Sequence, residues 1–542
     1  MSTANFARFF RRSASDPVEV IMKRSSAKNG YLSRAGWAAG LAVAVAAIAA
    51  GPSHAANGTW IPTAAGTYTW STGTAWSGGV PNGVGESARI TTVLTGSQTI
   101  TLASPITLGS LTFGNASTTA AFSYTLTGSA VTMDTGATSG TAALTLSTVS
   151  ASTGRAGGTV AMNLILNSNL LITNSIAGTG FALAVNGTIS EAAAGRAVTF
   201  SSPGNNGNTI TVGNNNNSYT GRTTINSGLI QFGSIANVGG GNSSFGNPGN
   251  AANGTIALGN ATNAVTLVYT GTSDATTDRV LDFAGANQTV TLVSTSRSLT
   301  FTSPLTATGS TGTKLLNLGA RPNGGAGGTV NISGNITYPT LSVVADAEWN
   351  STWALAIKSS LTGLNTYSGS STVGRGILII NSIADWNTGV ASSLGAPMNL
   401  SDATIRMNPA SVSAYAYLQY TGTGHSSNRP IALTDTTGTS FAAIDASGSG
   451  KLTLSGSVTN TGTGSKYLDI TGTGVGELSG VVSNGTASSA TVFVSKKGAG
   501  TWILSGSNQY TGATTGSAGI LRLDSAGALP GGIGATPSGP AS

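Results

Sequence analysis

Three segments of the chain align without a gap: NSYTGRTTINSGLIQF from Asn217, NTYSGSSTVGRGILII from Asn365, and NQYTGATTGSAGILRL from Asn508. Each sets Asn two residues before a Tyr (Tyr219, Tyr367, Tyr510) and Gly two after it (Gly221, Gly369, Gly512). A second Gly stands nine after the Tyr (Gly228, Gly376, Gly519), and an apolar strand follows at once. The first two copies go on agreeing downstream. SIAN at Ser234 matches SIAD at Ser382, SSFGNP at Ser243 matches SSLGAP at Ser392, LVYTGT at Leu267 matches LQYTGT at Leu418, and DRVLDF at Asp278 matches NRPIAL at Asn428. Tyr219 to Tyr367 is 148 residues and Tyr367 to Tyr510 is 143. Self-similarity of this kind marks a repeat architecture, in which each unit buries its apolar face only against its neighbours.

Shorter units fill each long period. TLTGSAVT (from Thr125), AVNGTIS (Ala184), NISGNIT (Asn331), LTLSGSVT (Leu452) and GELSGVVS (Gly476) each set one Gly between two strands that alternate apolar and polar residues. Alternation with period two puts one face inward and one outward. The Gly is expected to turn the corner through a positive φ, which it adopts without steric cost. No stretch of the mature chain carries an apolar stripe at helical spacing. Gly supplies 77 of 542 residues, charged residues are only 8%, and Cys is absent. The predicted fold class is therefore all-β, a parallel β-helix or β-solenoid. Its coils stack at about 4.8 Å, inward Val, Ile and Leu form a continuous core, and outward Ser, Thr and Asn stack without charge repulsion. At roughly 20–25 residues per coil the chain would make on the order of 20 coils. A string of β-sandwiches would show modules of about 100 residues with linkers between them, and no Pro-rich or charged linker lies between Asn57 and Leu523.

Residues 1–55 read as an extended, cleaved signal peptide. The uncharged stretch Gly36 to Gly51 follows Lys23, Arg24, Lys28 and Arg34, and Ser53-His54-Ala55 meets the small-x-small rule for cleavage after Ala55. Met22 is a second candidate start. Seven basic and two acidic residues fall in this leader, so the net charge of +7 drops to +2 in the mature chain. No basic run remains, which removes the electrostatic footprint of a nucleic-acid binder. The expected divisions are a capping region with the first coils at 56–200, β-helix modules at 201–350 and 351–495, a terminal repeat at 496–530, and a Gly/Pro/Ser tail at 531–542.

KKGAGTWILSGSNQYTGATTGSAGILRL, Lys496 to Leu523, resembles the passenger-associated β-strand repeat of bacterial autotransporters. Lys497, Gly498, Gly500, Thr501, Leu504, Gly506, Asn508, Tyr510, Gly512, Thr514, Gly519 and Leu521 occupy its pattern, and the copies at Asn217 and Asn365 match its second half. WSTGTAWSGGVPNGVGESARI, from Trp70, resembles the opening of large exported proteins built from such repeats. The resemblance implies a right-handed parallel β-helix, on or outside a Gram-negative-type cell, with a role in adhesion, surface display or cell–cell contact. Its partner would be a surface ligand such as a glycan or another cell. An autotransporter ends in a membrane β-barrel, whereas this sequence ends GALPGGIGATPSGPAS. The expectation is a truncated passenger without its translocator, or another export route.

Parallel β-helices also carry polysaccharide lyases and hydrolases, so catalytic candidates need a test. The mature chain has one histidine, His425, in YTGTGHSSNRP, and aligning Tyr269 with Tyr420 puts Asp274 in its place. A solvated loop histidine is the expectation. Asp274, Asp278 and Asp282 recur at a spacing of four, which does not converge in strands. Asp346 and Glu348 can share a strand face, and such a pair serves acid–base work or Ca²⁺ only when it converges on a ligand. Asn214 to Asn217 reads as a turn or an Asn ladder. Trp60, Trp70 and Trp76 would either stack on sugars or plug the open end of the solenoid, the second being preferred. No catalytic residue, cofactor or metal site is predicted.

Overall fold

The computed structural model describes residues 57–117, 121–137, 139–147, 157–176, 180–203, 208–260, 263–308, 312–319, 327–346, 358–407, 415–435 and 438–530. The leader, the cleavage site expected at Ala55, Glu348 and the tail lie outside them.

Asn57 onward winds as a parallel β-helix with three faces. The first face stacks Ser87–Ile90, Ser110–Phe113, Thr141–Leu146, Asn169–Asn174 and Val198–Ser201. The second stacks Gln98–Leu102, Tyr124–Gly128, Gly158–Val160, Ala182–Val185 and Thr209–Val212. The third stacks Ile106–Leu108, Val131–Met133, Leu164–Leu166 and Ile189–Glu191. Pairing is parallel and in register: Leu144 lies on Ile172, which lies on Phe200. Among the described strands the antiparallel exception is the pair Asn57–Trp60 and Trp76–Ser77.

Alternation does what the sequence asks of it. In Thr141–Leu146 the side chains of Ala142, Leu144 and Leu146 are buried while Ala143 and Thr145 turn outward. The same alternation in each coil gives a main core running from Trp60 to Ala528, with a small separate cluster of Leu229, Val268 and Val293. Each Leu, Ile or Val placed there contributes about 1.5–3 kcal/mol against exposure.

The corner glycines work differently from the expectation. Of the five in the short units, Gly128 has a positive φ of 100°. At Gly187, Gly334, Gly456 and Gly480 the preceding coil approaches instead. A Cβ at these positions would strike the carbonyl oxygens of Met162, Ser303, Arg429 and Gly456. At these four corners, then, close stacking of coils excludes a side chain, and backbone handedness does not enter.

Coils are also longer than predicted, and the long period is not a whole number of them. Asn217 sits against Ile189 on the third face. The chain revisits that face at Ser243, Ala275–Thr277, Ser298–Phe301, Thr329–Ile332 and Lys358–Leu361. It then reaches Asn365, which sits against Ile336. Ile336 is bridged to Leu305, whose neighbour Thr306 is bridged to Asp282 of the first-face strand Leu281–Phe283. Asn508 in turn sits against Val482 of the second face. Each copy thus advances by five coils and a third of a coil. The 148 residues between the first two tyrosines give about 28 residues per coil.

At the N-terminal end Trp60, Trp70 and Trp76 are 0%, 2% and 5% exposed and pack ring against ring, with centroids 4.7–5.0 Å apart. Their indole N–H groups donate inward, to Gln98 Oε1, the Pro81 carbonyl and the Trp70 carbonyl. A sugar-stacking platform needs an exposed ring face, and these rings offer none.

Candidate functional site

The repeat motif is a set of clamps between coils. Asn217 Oδ1 accepts from the Ile189 N–H (2.8 Å) of the preceding coil, and its Nδ2 donates to the Ser244 carbonyl (2.9 Å) of the following one. Asn365 repeats this with Ile336 (2.8 Å) and Ser393 (2.8 Å). Asn508 does so with Val482 (2.9 Å) and Ala528 (2.7 Å). Asn217 and Asn365 are fully buried and Asn508 is 9% exposed, so each satisfies backbone groups that water does not reach. The amide is suited to this because one short side chain carries both an acceptor and a donor.

Tyr and Gly have equally local reasons. Tyr219, Tyr367 and Tyr510 each pair their hydroxyl with the Thr or Ser four residues on: Thr223 (3.0 Å), Ser371 (3.0 Å) and Thr514 (2.5 Å). Burial pushes Tyr219 up to about 12 and raises Tyr367 and Tyr510 as well. A Cβ on Gly221, Gly369 or Gly512 would meet the backbone of Arg196, Leu341 or Val492. Gly228, Gly376 and Gly519 have φ of 85°, 91° and 71°, where an L side chain is strained. In the terminal copy Gly498 also has a positive φ, of 67°, and Gly500 lies against the Gly474 carbonyl. Of the two lysines there, Lys496 points inward and donates to the carbonyls of Lys497, Gly498 and Ala518, while Lys497 points outward to Asp469 (2.8 Å).

The sequence reading missed two buried arginines. Arg279 is 0% exposed and donates to the carbonyls of Phe245 (2.7 Å) and Gly254 (2.8 Å). Arg429, 1% exposed, makes the same bonds to Leu394 (2.7 Å) and Ala403 (2.8 Å). Burial lowers both guanidiniums to about 10. Each ties down the excursion that follows the repeat, Gly233 to Gly254 or Asn381 to Ala403. The signal was present: Arg is the one residue that DRVLDF and NRPIAL share.

A third clamp is reciprocal. The Val238 N–H donates to Asp278 Oδ1 and the Asp278 N–H to Asn237 Oδ1. In the second copy the Trp386 N–H donates to Asn428 Oδ1 and the Asn428 N–H to Asp385 Oδ1. One acid and one amide face each other in both copies, but on exchanged sides.

The other candidate acids do separate structural jobs. Asp274 Oδ1 takes the Ser298 N–H, and buried Asp282 takes Thr306 and Thr308 with Arg222 at 3.4 Å. Asp346 forms an ion pair with Arg375 (3.0 Å). Within the Asn run, Asn214 Nδ2 donates to the Asn186 carbonyl and Asn215 Oδ1 accepts from Ser244 Oγ. His425 Nδ1 lies 2.6 Å from Tyr420 Oη, and the same hydroxyl accepts from the Gly424 N–H (2.8 Å). Among the described residues no group of three His, Asp or Glu side chains is placed to hold a metal.

An outward feature also went unread. Tyr415, Phe441, Tyr467 and Phe493 stack on the outside of the solenoid, with centroids 4.8–5.1 Å apart and interplanar angles of 14–25°. They recur every 26 residues, so an aromatic at coil period was there to be found. Beside them Tyr417 donates to Asp445 (2.6 Å), and burial raises Asp469 despite its bond from Lys497.

With this geometry in hand, the comparisons are specific. A sequence model of the passenger-associated-transport-repeat family matches residues 206–232, 360–380 and 494–523, the three segments that carry the Asn clamps. Over 86% of its length the chain is 30% identical to the adhesin BmaC autotransporter of Brucella suis biovar 1 (strain 1330) and spans 14% of that protein. No solved structure matches. The chain is a parallel β-helical protein built on three passenger-associated-transport repeats, similar over most of its length to an autotransporter adhesin.

Proposed function

We propose that the chain is an exported, non-catalytic β-solenoid that serves adhesion or surface structure on a Gram-negative-type cell, as part of an autotransporter-like passenger. The observation that carries the reading is the three-faced coil formed by the described residues and clamped by three matched repeats. Such a scaffold holds a long Ser, Thr and Asn surface rigidly and leaves outward positions free to vary. The similarity to an adhesin supports the same reading, and a C-terminal β-barrel translocator is its natural export partner. Latex beads coated with the purified chain should bind host-derived cells or matrix above beads coated with the heat-unfolded chain. Equal binding by both would contradict it. The polysaccharide-active alternative predicts sustained cleavage of an acidic or neutral polysaccharide that is lost in His425→Ala, and such turnover would replace the adhesive reading.

A further inference from the structure

The second copy carries a surface that the first lacks. Leu364, Val390, Met398 and Leu400 are each more than half exposed. In the first copy Asn216, Gly249 and Ala251 stand where Leu364, Met398 and Leu400 do, and the stretch holding Val390 contains only Gly239, Gly240 and Gly241. Acids change as well. Asp385 and Asp402 lie between Leu364 and Ala403, whereas the matching stretch from Asn216 to Gly254 has no Asp or Glu. The buried Asn, Tyr and Arg clamps are the same in both copies, so the four apolar exchanges are not needed to hold the coils, while Asp385 takes the part of Asn237 in the reciprocal clamp.

Two of the four apolar residues close on a polar pair. Leu364, Ile383, Val390 and Ala391 line a shallow depression of about 440 Å³ together with Asp385 and His425. The Tyr420 hydroxyl accepts from the Gly424 N–H and lies 2.6 Å from His425 Nδ1; where it donates its proton to Nδ1, the imidazole carries an N–H at Nε2. Asp385 Oδ1 accepts from the Asn428 N–H, and its second oxygen has no hydrogen bond among the described residues. The depression thus offers apolar walls, one N–H donor and one anionic acceptor. No Trp, Tyr or Phe ring lines it, so it lacks the broad stacking face a sugar would use.

We propose that this depression recognises an extended, basic peptide segment of a protein partner. An apolar side chain sits between Leu364 and Val390, the adjoining peptide carbonyl accepts from His425 Nε2–H, and a neighbouring Lys or Arg faces Asp385. Charge complementarity selects a basic segment, because Asp385 stands on the depression where the first copy has Asn237, and Arg375, in the same stretch, is already paired with Asp346. The proposal names a partner class for the adhesive reading and rests on it only for biological context.

The test follows the ¹³C ring signal of His425 in the full chain, identified by its loss in His425→Gln. Acetyl-Lys-Leu-Lys-amide should shift it saturably, with at least tenfold weaker binding in 0.5 M salt or in Leu364→Asn/Val390→Gly, whose far-ultraviolet spectrum should stay unchanged. Acetyl-Lys-Ser-Lys-amide should bind at least tenfold more weakly. A larger shift with methyl β-glucoside, equal shifts with both peptides, or no shift with any probe would overturn the proposal. Cell binding by Leu364→Asn/Val390→Gly at the wild-type level would then leave the adhesive reading standing without this pocket.

Discussion

The two long copies, Asn217 to Arg279 and Asn365 to Arg429, differ almost entirely on their outside. Their buried clamps share the same main bonds: an Asn that bonds backbone on both sides, a Tyr against a hydroxyl four residues on, and an Arg across two carbonyls. Outside, Asn216 has become Leu364, Gly249 has become Met398, and Asp274 has become His425. The difference separates what stacks coils from what is free to change. Inward polar groups cannot drift, because an unpaired donor or acceptor costs its full desolvation, while outward positions carry no such penalty. The phase differs too. With a third of a coil added per copy, the second excursion leaves the solenoid from a different face than the first, so the repeats need not display their surfaces in one row.

The comparison breaks first at the asparagines. Asn217→Ala leaves the Ile189 N–H and the Ser244 carbonyl buried and unpaired, and should cost about 2–4 kcal/mol in urea unfolding. Asn365→Ala should cost the same, and Asn508→Ala less, since its site is partly exposed. Unequal losses at 217 and 365 would show that the copies are not equivalent inside. The arginines come next. Arg279→Leu and Arg429→Leu should each cost about 2–3 kcal/mol, the loss of two buried carbonyl partners offset in part by removing a buried charge. Lys at either site should not restore stability, because one ammonium lacks the fork that spans two carbonyls.

The exchanged acid–amide pair gives a smaller and sharper test. Asn428→Asp sets a second carboxylate against Asp385 and should cost about 1–2 kcal/mol, less in high salt. Adding Asp385→Asn recreates the arrangement of Asn237 and Asp278 and should recover most of it in a double-mutant cycle. The last test is alkaline. Burial pushes Tyr124 up to about 12, so between pH 10 and 12 the unfolded chain loses a proton that the folded chain keeps. Stability should fall across that window by up to about 1.4 kcal/mol per pH unit from this residue. In Tyr124→Phe the fall should be shallower by that amount in urea titrations.

How far the sequence could be read follows from the same division. Asn217, Tyr219, Gly221 and Gly228 were legible because they recur at fixed spacing, and alternation disclosed the core. Arg279 and Arg429 passed unnoticed because arginine is ordinarily a surface residue, and only its identity within two otherwise dissimilar hexapeptides marked it. Corner glycines such as Gly456 and Gly480 were found, but their reason was not. It lies in the carbonyl of the coil beneath, 27 and 24 residues earlier in sequence. The third-of-a-coil advance was invisible because residue spacing does not tell where the corners fall. The depression around His425 was hidden for a related reason: Leu364 and Val390 meet His425 only when coils stack.

The central claim is that each repeat asparagine clamps the coil before it to the coil after it. Amide hydrogen exchange in Asn217→Ala tests this most directly. The account predicts that protection falls at Ile189 and in the Ser243–Phe245 segment, while Ile336 and Val482, clamped by the other two copies, keep theirs. Unchanged exchange at Ile189, or an equal loss at all three sites, would contradict it.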